Sequence, residues 1–169
     1  MKRKRMAAIA AGVLLLLASA WRVRSHSLDE ILPAEGRRAD AVFVRVTEFG
    51  APDSPQMDSY TLEGASPEDA LYASVLSIIG GTGYRADFRN LLPWDVLTVR
   101  SRENIAYSAA VMLAWGEADE EACHLLFQDE RTVTVSVGGN RGFLIYHPTD
   151  RTTLTALSSY VKEHGQQEP

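Results

Sequence analysis

The fold this sequence predicts is an α+β domain, an antiparallel sheet of about five to seven strands with two helices packed on one face, plus an N-terminal apolar export or anchor helix. Three observations carry that expectation. Residues 41–49 alternate apolar and polar side chains, the period of a strand with one buried face. Three further strand-like runs follow one another at hairpin spacing between residues 123 and 147. Two segments, 66–79 and 149–163, place apolar residues at helical spacing between a capping residue and a glycine stop.

The chain opens with Lys2, Arg3, Lys4 and Arg5, followed by an uncharged run from Met6 to Trp21. This is the layout of an export signal: the basic end stays cytoplasmic while the apolar run enters the bilayer and the remainder is delivered outward. Ala18-Ser19-Ala20 fits a small-residue cleavage site, whereas Trp21, Arg22 and Arg24 fit an uncleaved anchor, and both readings stand. No cysteine follows the apolar run closely, which excludes lipid attachment at a processed N-terminal Cys. The expected organisation is therefore a signal peptide or signal anchor over 1–24, a linker over 25–40, one domain over 41–165 and a disordered tail over 166–169.

Charge narrows the function classes. From Trp21 onward 13 basic residues face 22 acidic ones, a balance of minus nine, which is the wrong sign for holding nucleic acid. Contact with a membrane is expected only through residues 6–23, if that segment is uncleaved. Cys123 is the single cysteine, so no intramolecular disulfide forms, and it reads as a small buried apolar residue.

Each element has a local reason. Val42, Val44 and Val46 alternate with Phe43, Arg45 and Thr47; the proline-bearing stretch 50–56 is a loop, and Met57 to Leu62 returns as the partner strand. Ser66-Pro67-Glu68-Asp69 opens a helix, with Ser66 as cap and Leu71, Val75, Ile78 and Ile79 as its inner stripe. Gly80-Gly81 is expected to end it through a left-handed residue. Tyr84 to Leu92 reads as a strand with Tyr84, Ala86 and Phe88 inward, broken by Pro93-Trp94 before a second extended piece at 96–100. Residues 105–115 suit a helix by their alanines but a strand by the alternation of Tyr107, Ala109, Val111, Leu113 and Trp115; the neighbouring strands favour strand. The last helix starts near Thr149-Asp150, buries Leu154, Leu157 and Val161, and stops at Gly165. Tyr60, Leu62, Ser66, Leu71 and Ile78 match Phe143, Ile145, Thr149, Leu154 and Val161 at a constant offset of 83, which is compatible with an internal repeat and with two ordinary strand-strand-helix units.

The chemical motifs have structural explanations. A phosphate loop follows a strand and opens a helix; the glycines at 80–83 follow a helix and those at 138–142 join two strands, so they read as a helix stop and a hairpin turn. Glu117, Asp119, Glu120 and Glu121 lack the alternation of a calcium loop and read as a charged hairpin tip. Arg85, Arg89, Arg100 and Arg102 are interleaved with Asp87, Asp95 and Glu103, a mixed solvated face. None of His26, His124, His147 and His164 has metal-ligand spacing, so no metal and no cofactor is expected. His147 ends a strand just before a helix cap, where catalytic bases often sit.

The runs Tyr84-Arg85-Ala86-Asp87-Phe88-Arg89-Asn90-Leu91-Leu92-Pro93-Trp94 and Phe143-Leu144-Ile145-Tyr146-His147-Pro148-Thr149-Asp150 resemble a group of small extracytoplasmic proteins of Gram-positive bacteria that share a basic signal, a strand-rich middle and a final helix. The resemblance covers most of residues 41–165 and implies no activity or catalytic residue. The functional expectation is a non-enzymatic binding domain displayed at the cell envelope, its partner an envelope protein or polymer, with Trp94, Trp115, His147, Arg85 and Arg89 as candidate binding residues and no catalytic residue assigned. The alternative is a small extracytoplasmic hydrolase or metal-dependent enzyme centred on His147 and Asp150.

Overall fold

Alternation decides the centre of the molecule. In β1 (Ala41–Phe49) Val42, Val44 and Val46 are fully buried, and in β4 (Tyr107–Ala114) Ala109, Val111 and Leu113 stand beside them in antiparallel register. The computed structural model describes residues 24–50, 57–64, 66–91, 107–116, 122–138 and 143–168, with positions 6, 9, 10, 12 and 13 of the N-terminal segment. Strand is thus the outcome for the ambiguous stretch over its described part, Tyr107–Ala114: each valine or leucine buried on one face is worth about 1.5–3 kcal/mol, more than the helix propensity of its alanines.

The other strands are β2 (Met57–Gly64), β3 (Tyr84–Ala86), β5 (Ala122–Asp129), β6 (Thr132–Val137), β7 (Phe143–Pro148) and β8 (Gln166–Gln167). They form one sheet in the order β3-β7-β6-β5-β4-β1-β2-β8, antiparallel in every pairing. Among the described residues eight strands replace the expected five to seven. The excess lies at the two edges, where three-residue β3 and two-residue β8 are too short to show a period in sequence. β8 also corrects the tail expected to fray: Gln166 and Gln167 pair with Thr61 and Tyr60.

Two helices, α2 (Ala70–Gly80) and α3 (Thr153–His164), pack on the same sheet face through Val75 and Ile79 and through Leu154, Leu157 and Val161; a one-turn helix α1 (Leu28–Ile31) adds Leu28 and Ile31 to that core. The cap of α2 is Asp69 rather than Ser66, its Oδ1 accepting the Leu71 N–H at 2.9 Å, and Pro67 and Glu68 form the turn before it. The helix ends on Gly81 with φ −71°, not left-handed, its N–H bonded to the Ser77 carbonyl. Similarly, Asp150 precedes α3 rather than capping it; its carboxylate accepts the Thr152 N–H and hydroxyl, and Thr152 is the cap residue.

The stretch expected as one strand over 84–92 turns after Ala86 into a 3-10 turn, Phe88–Leu91, so that Phe88 is 67% exposed instead of inward. Cys123 is buried, and burial pushes its thiol up to about 12, which fits its reading as a core residue. The apolar segment 6–23, the acidic run 117–121, Arg100, Arg102, residues 96–100 and most of the glycine turn at 138–142 lie wholly or largely outside the described residues. Among the described residues no helix is long and apolar enough to cross a membrane.

Candidate functional site

The sheet separates the expected site residues into two groups. Arg85, Arg89 and His147 gather at the β3–β7 edge, Trp115 sits at the end of β4 with β5 and β6 between, and Trp94 lies outside the described residues.

At the β3–β7 edge the centre is a residue the sequence offered only as an interleaved charge. The Asp87 side chain is 5% exposed. It accepts the Arg89 backbone N–H on Oδ1 at 2.7 Å, the Arg89 guanidinium at 3.0 and 2.8 Å, and lies 2.8 Å from His147 Nε2 through Oδ2. Burial raises the carboxyl, but the Arg89 side chain and backbone together with the His147 ring outweigh it and hold Asp87 at about 2. The other His147 nitrogen, Nδ1, faces the Arg131 carbonyl at 2.7 Å in the β5–β6 turn. Asn90 completes the edge: its amide donates to the Ile145 carbonyl and accepts the Ile145 N–H, both at 2.8 Å, in place of a neighbouring strand. Arg85 stands opposite His147 in the register, exposed, and its side chain makes no hydrogen bond or ion pair among the described residues.

This arrangement bears directly on the hydrolase alternative. His147 has an acid within reach, but Asp87 rather than Asp150, whose carboxylate is turned to Thr152. A general base needs one ring nitrogen on its orienting acid and the other on a nucleophile or water. Here both nitrogens face acceptor oxygens, a carboxylate and a main-chain carbonyl, so the ring works as a tie between the 3-10 turn and the hairpin. Among the described residues no group of three or more His, Cys, Asp or Glu could hold a metal ion.

The Trp115 region is of the opposite kind. A groove of about 480 Å³ is lined by Ala34, Glu35, Arg37, Arg38, Asp40 and Trp115. The 3-10 turn Gly36–Arg38 forms its wall, and Gly36 permits a close approach: a Cβ there would lie 3.4 Å from Trp115 Cζ3 and 3.2 Å from the Pro33 ring. The indole is thus held against the turn and partly against the core while remaining partly exposed. The Asp40 N–H bonded to the Ala114 carbonyl at 2.7 Å fixes the turn to the end of β4. Glu35, Arg37, Arg38 and Asp40 are all exposed. Among the described residues their side chains make one hydrogen bond in all, from Arg37 Nη2 to the Leu32 carbonyl at a long 3.4 Å.

Sequence reasoning singled out Trp115 but missed Glu35, Arg37, Arg38 and Asp40. They fell in what read as a linker, though the density of charge in 35–40 around a glycine was the available signal. Protein-family models, curated proteins and solved structures contain no match to this chain.

Proposed function

We propose that this chain is a non-enzymatic binding domain displayed at the bacterial cell envelope, exported by its N-terminal segment and taking its ligand in the Trp115 groove. The observation that carries the reading is the contrast between two charged clusters. At the β3–β7 edge Asp87, Arg89 and His147 are spent on one another. In the groove two cations and two anions surround an aromatic ring and, among the described residues, make one long hydrogen bond between them. Convergent polar groups around an aromatic wall, in a concavity within the roughly 300–1,000 Å³ range of ligand sites, are the physical signature of recognition.

Display at the envelope rests on the basic and apolar N-terminal segment and on the resemblance to small extracytoplasmic proteins of Gram-positive bacteria. A partner in the envelope, protein or polymer, follows from that location, and the balance of minus nine argues against nucleic acid.

The test is photo-crosslinking in the native host from a reactive residue at exposed position 38, combined with fractionation. The expected result is a reproducible adduct that disappears in the Trp115→Ala variant. An intact Met1 region in the membrane fraction marks an anchored protein, and a mature start at Trp21 in the medium a secreted one. Absence of any Trp115-dependent adduct from intact cells would remove the main support for the reading.

A further inference from the structure

Resting on the binding-domain reading, we infer that the ligand of the Trp115 groove is an uncharged carbohydrate strand, one sugar ring lying against the indole and its hydroxyls held by Glu35, Asp40, Arg37 and Arg38.

Three properties of the groove select this class. The first is charge. Arg37 and Arg38 are balanced by Glu35 and Asp40, so the described lining of the groove is neutral inside a domain that is acidic overall. A polyanion such as a phosphate-linked polymer would gain no net attraction in the groove and would meet repulsion from the rest of the surface. The second is the kind of polar group present. A sugar hydroxyl is both donor and acceptor, and a row of hydroxyls is met best by planar groups that bond in pairs, carboxylates accepting and guanidinium groups donating. The groove carries two of each, and a ligand with acceptors alone or donors alone would use half of them.

The third property is shape. Among the described residues six line the groove of about 480 Å³, whereas a stable protein partner engages roughly 20–30 residues on each side. An extended chain of sugars can enter a short groove at one or two rings and continue past both ends. The aliphatic C–H face of a sugar presents weakly positive hydrogens to the negative face of an aromatic ring, an interaction of the same quadrupolar origin as edge-to-face aromatic pairs. Trp115 is pre-organised for it, since contact with Gly36 and the core fixes the indole before any ligand arrives.

The experiment uses the full chain in detergent micelles with a tetrasaccharide of β-linked N-acetylglucosamine as probe, followed by NMR of the indole and guanidinium N–H groups. Saturable shifts are expected at Trp115 Nε1 and at the Arg37 and Arg38 side chains, with little change at Arg85 or Arg89. Trp115→Ala is expected to weaken binding about tenfold or more, equivalent to the loss of one aromatic contact with its buried area. Arg38→Ala, on an exposed side chain where folding is not at stake, is expected to weaken it severalfold. No shift at Trp115 at millimolar probe, or equal binding by both variants, overturns the carbohydrate assignment. If that happens while position 38 still cross-links a protein in intact cells in a Trp115-dependent way, the ligand class is wrong and the binding-domain reading stands. If neither probe nor adduct is found, both fall.

Discussion

The Asp87 carboxylate shows most clearly how one residue can set a pH dependence. Its folded value, about 2, lies below the 3.8 of an unconstrained aspartate, so the folded state binds its proton less tightly than the unfolded chain does. The associated stability is present above the ordinary carboxylate range and is lost as pH falls from about 4 through 2, amounting to roughly 2 kcal/mol. Asp87→Asn is expected to flatten the acid limb of a stability-against-pH curve over that window and to lower stability at neutral pH, because Arg89 and His147 lose a charged acceptor. An unchanged acid limb in urea titrations between pH 2 and 5 would contradict the clasp. Ser158 gives a prediction of the opposite sign: it is 2% exposed and its hydroxyl has no hydrogen-bond partner among the described residues. Ser158→Ala removes a buried polar group that makes no compensating bond, so a gain of about 1 kcal/mol is expected in thermal or chemical denaturation. Neither residue could be identified by inspection of the sequence. Asp87 carries a local signal, an acid two residues before a backbone donor, but its partner His147 is 60 positions away and becomes adjacent only when β3 pairs with β7.

At the scale of elements, the sequence was legible where a period repeats several times and illegible where an element is too short to have one. β1, β4, β5 and the buried stripe of α3 follow from spacing, because in each of them at least three residues at the element's own period are buried on one face. Phe88 was misread because a single apolar residue at period two cannot distinguish a strand that continues from one that turns. The short tail strand β8 depends instead on contacts made by its flanks. Glu168 Oε2 accepts Arg45 Nη2 at 2.5 Å, its Oε1 accepts the Thr61 hydroxyl, and its N–H donates to the Ser59 carbonyl. What lets the chain leave α3 straight into this pairing is Gly165, where a Cβ would meet the Thr61 oxygen at 2.5 Å and the Val161 oxygen at 2.6 Å. Both obstacles are backbone and cannot rotate aside. Gly165→Ala is therefore expected to cost roughly 1–3 kcal/mol, the range of overpacking at a closed site. The loss should be accompanied by disappearance of the cross-strand NOE contacts between residues 60–61 and 166–167. If those contacts persist at full stability, the close approach is not a constraint.

Across the whole molecule the strand order has a symmetry that bears on the offset of 83 noted in the sequence. Exchanging β1 with β6, β2 with β7, α2 with α3, β3 with β8 and β4 with β5 turns the order β3-β7-β6-β5-β4-β1-β2-β8 into its own reverse. The same offset carries Ala70–Gly80 onto 153–163, the length of α3 but for its last residue. Each helix leaves a hairpin in one half and delivers its following strand to the outer edge of the other, α2 placing β3 beside β7 and α3 placing β8 beside β2. The halves are tied by exchanged edges as well as by the central β4–β5 pairing, so the two edges close the same sheet with different strengths. β3 holds Tyr84 fully buried, with its hydroxyl donating to the Ile79 carbonyl, bridges the His26 backbone on its far side, and is followed by the Asp87 clasp and the Asn90 plug. β8 has two exposed glutamines and a solvent-facing ion pair, the kind worth about 0–1 kcal/mol. Local opening should therefore begin at β8 while β3 stays closed. In native-state hydrogen exchange the Glu168 amide, which donates to the Ser59 carbonyl, is expected to exchange about tenfold or more faster than the Tyr84 and Asp87 amides, which donate to the His26 and Ile145 carbonyls. Equal protection at the two edges would mean that β8 opens only with the whole sheet, and that the exchange of edges, rather than the contacts at each one, governs how the fold comes apart.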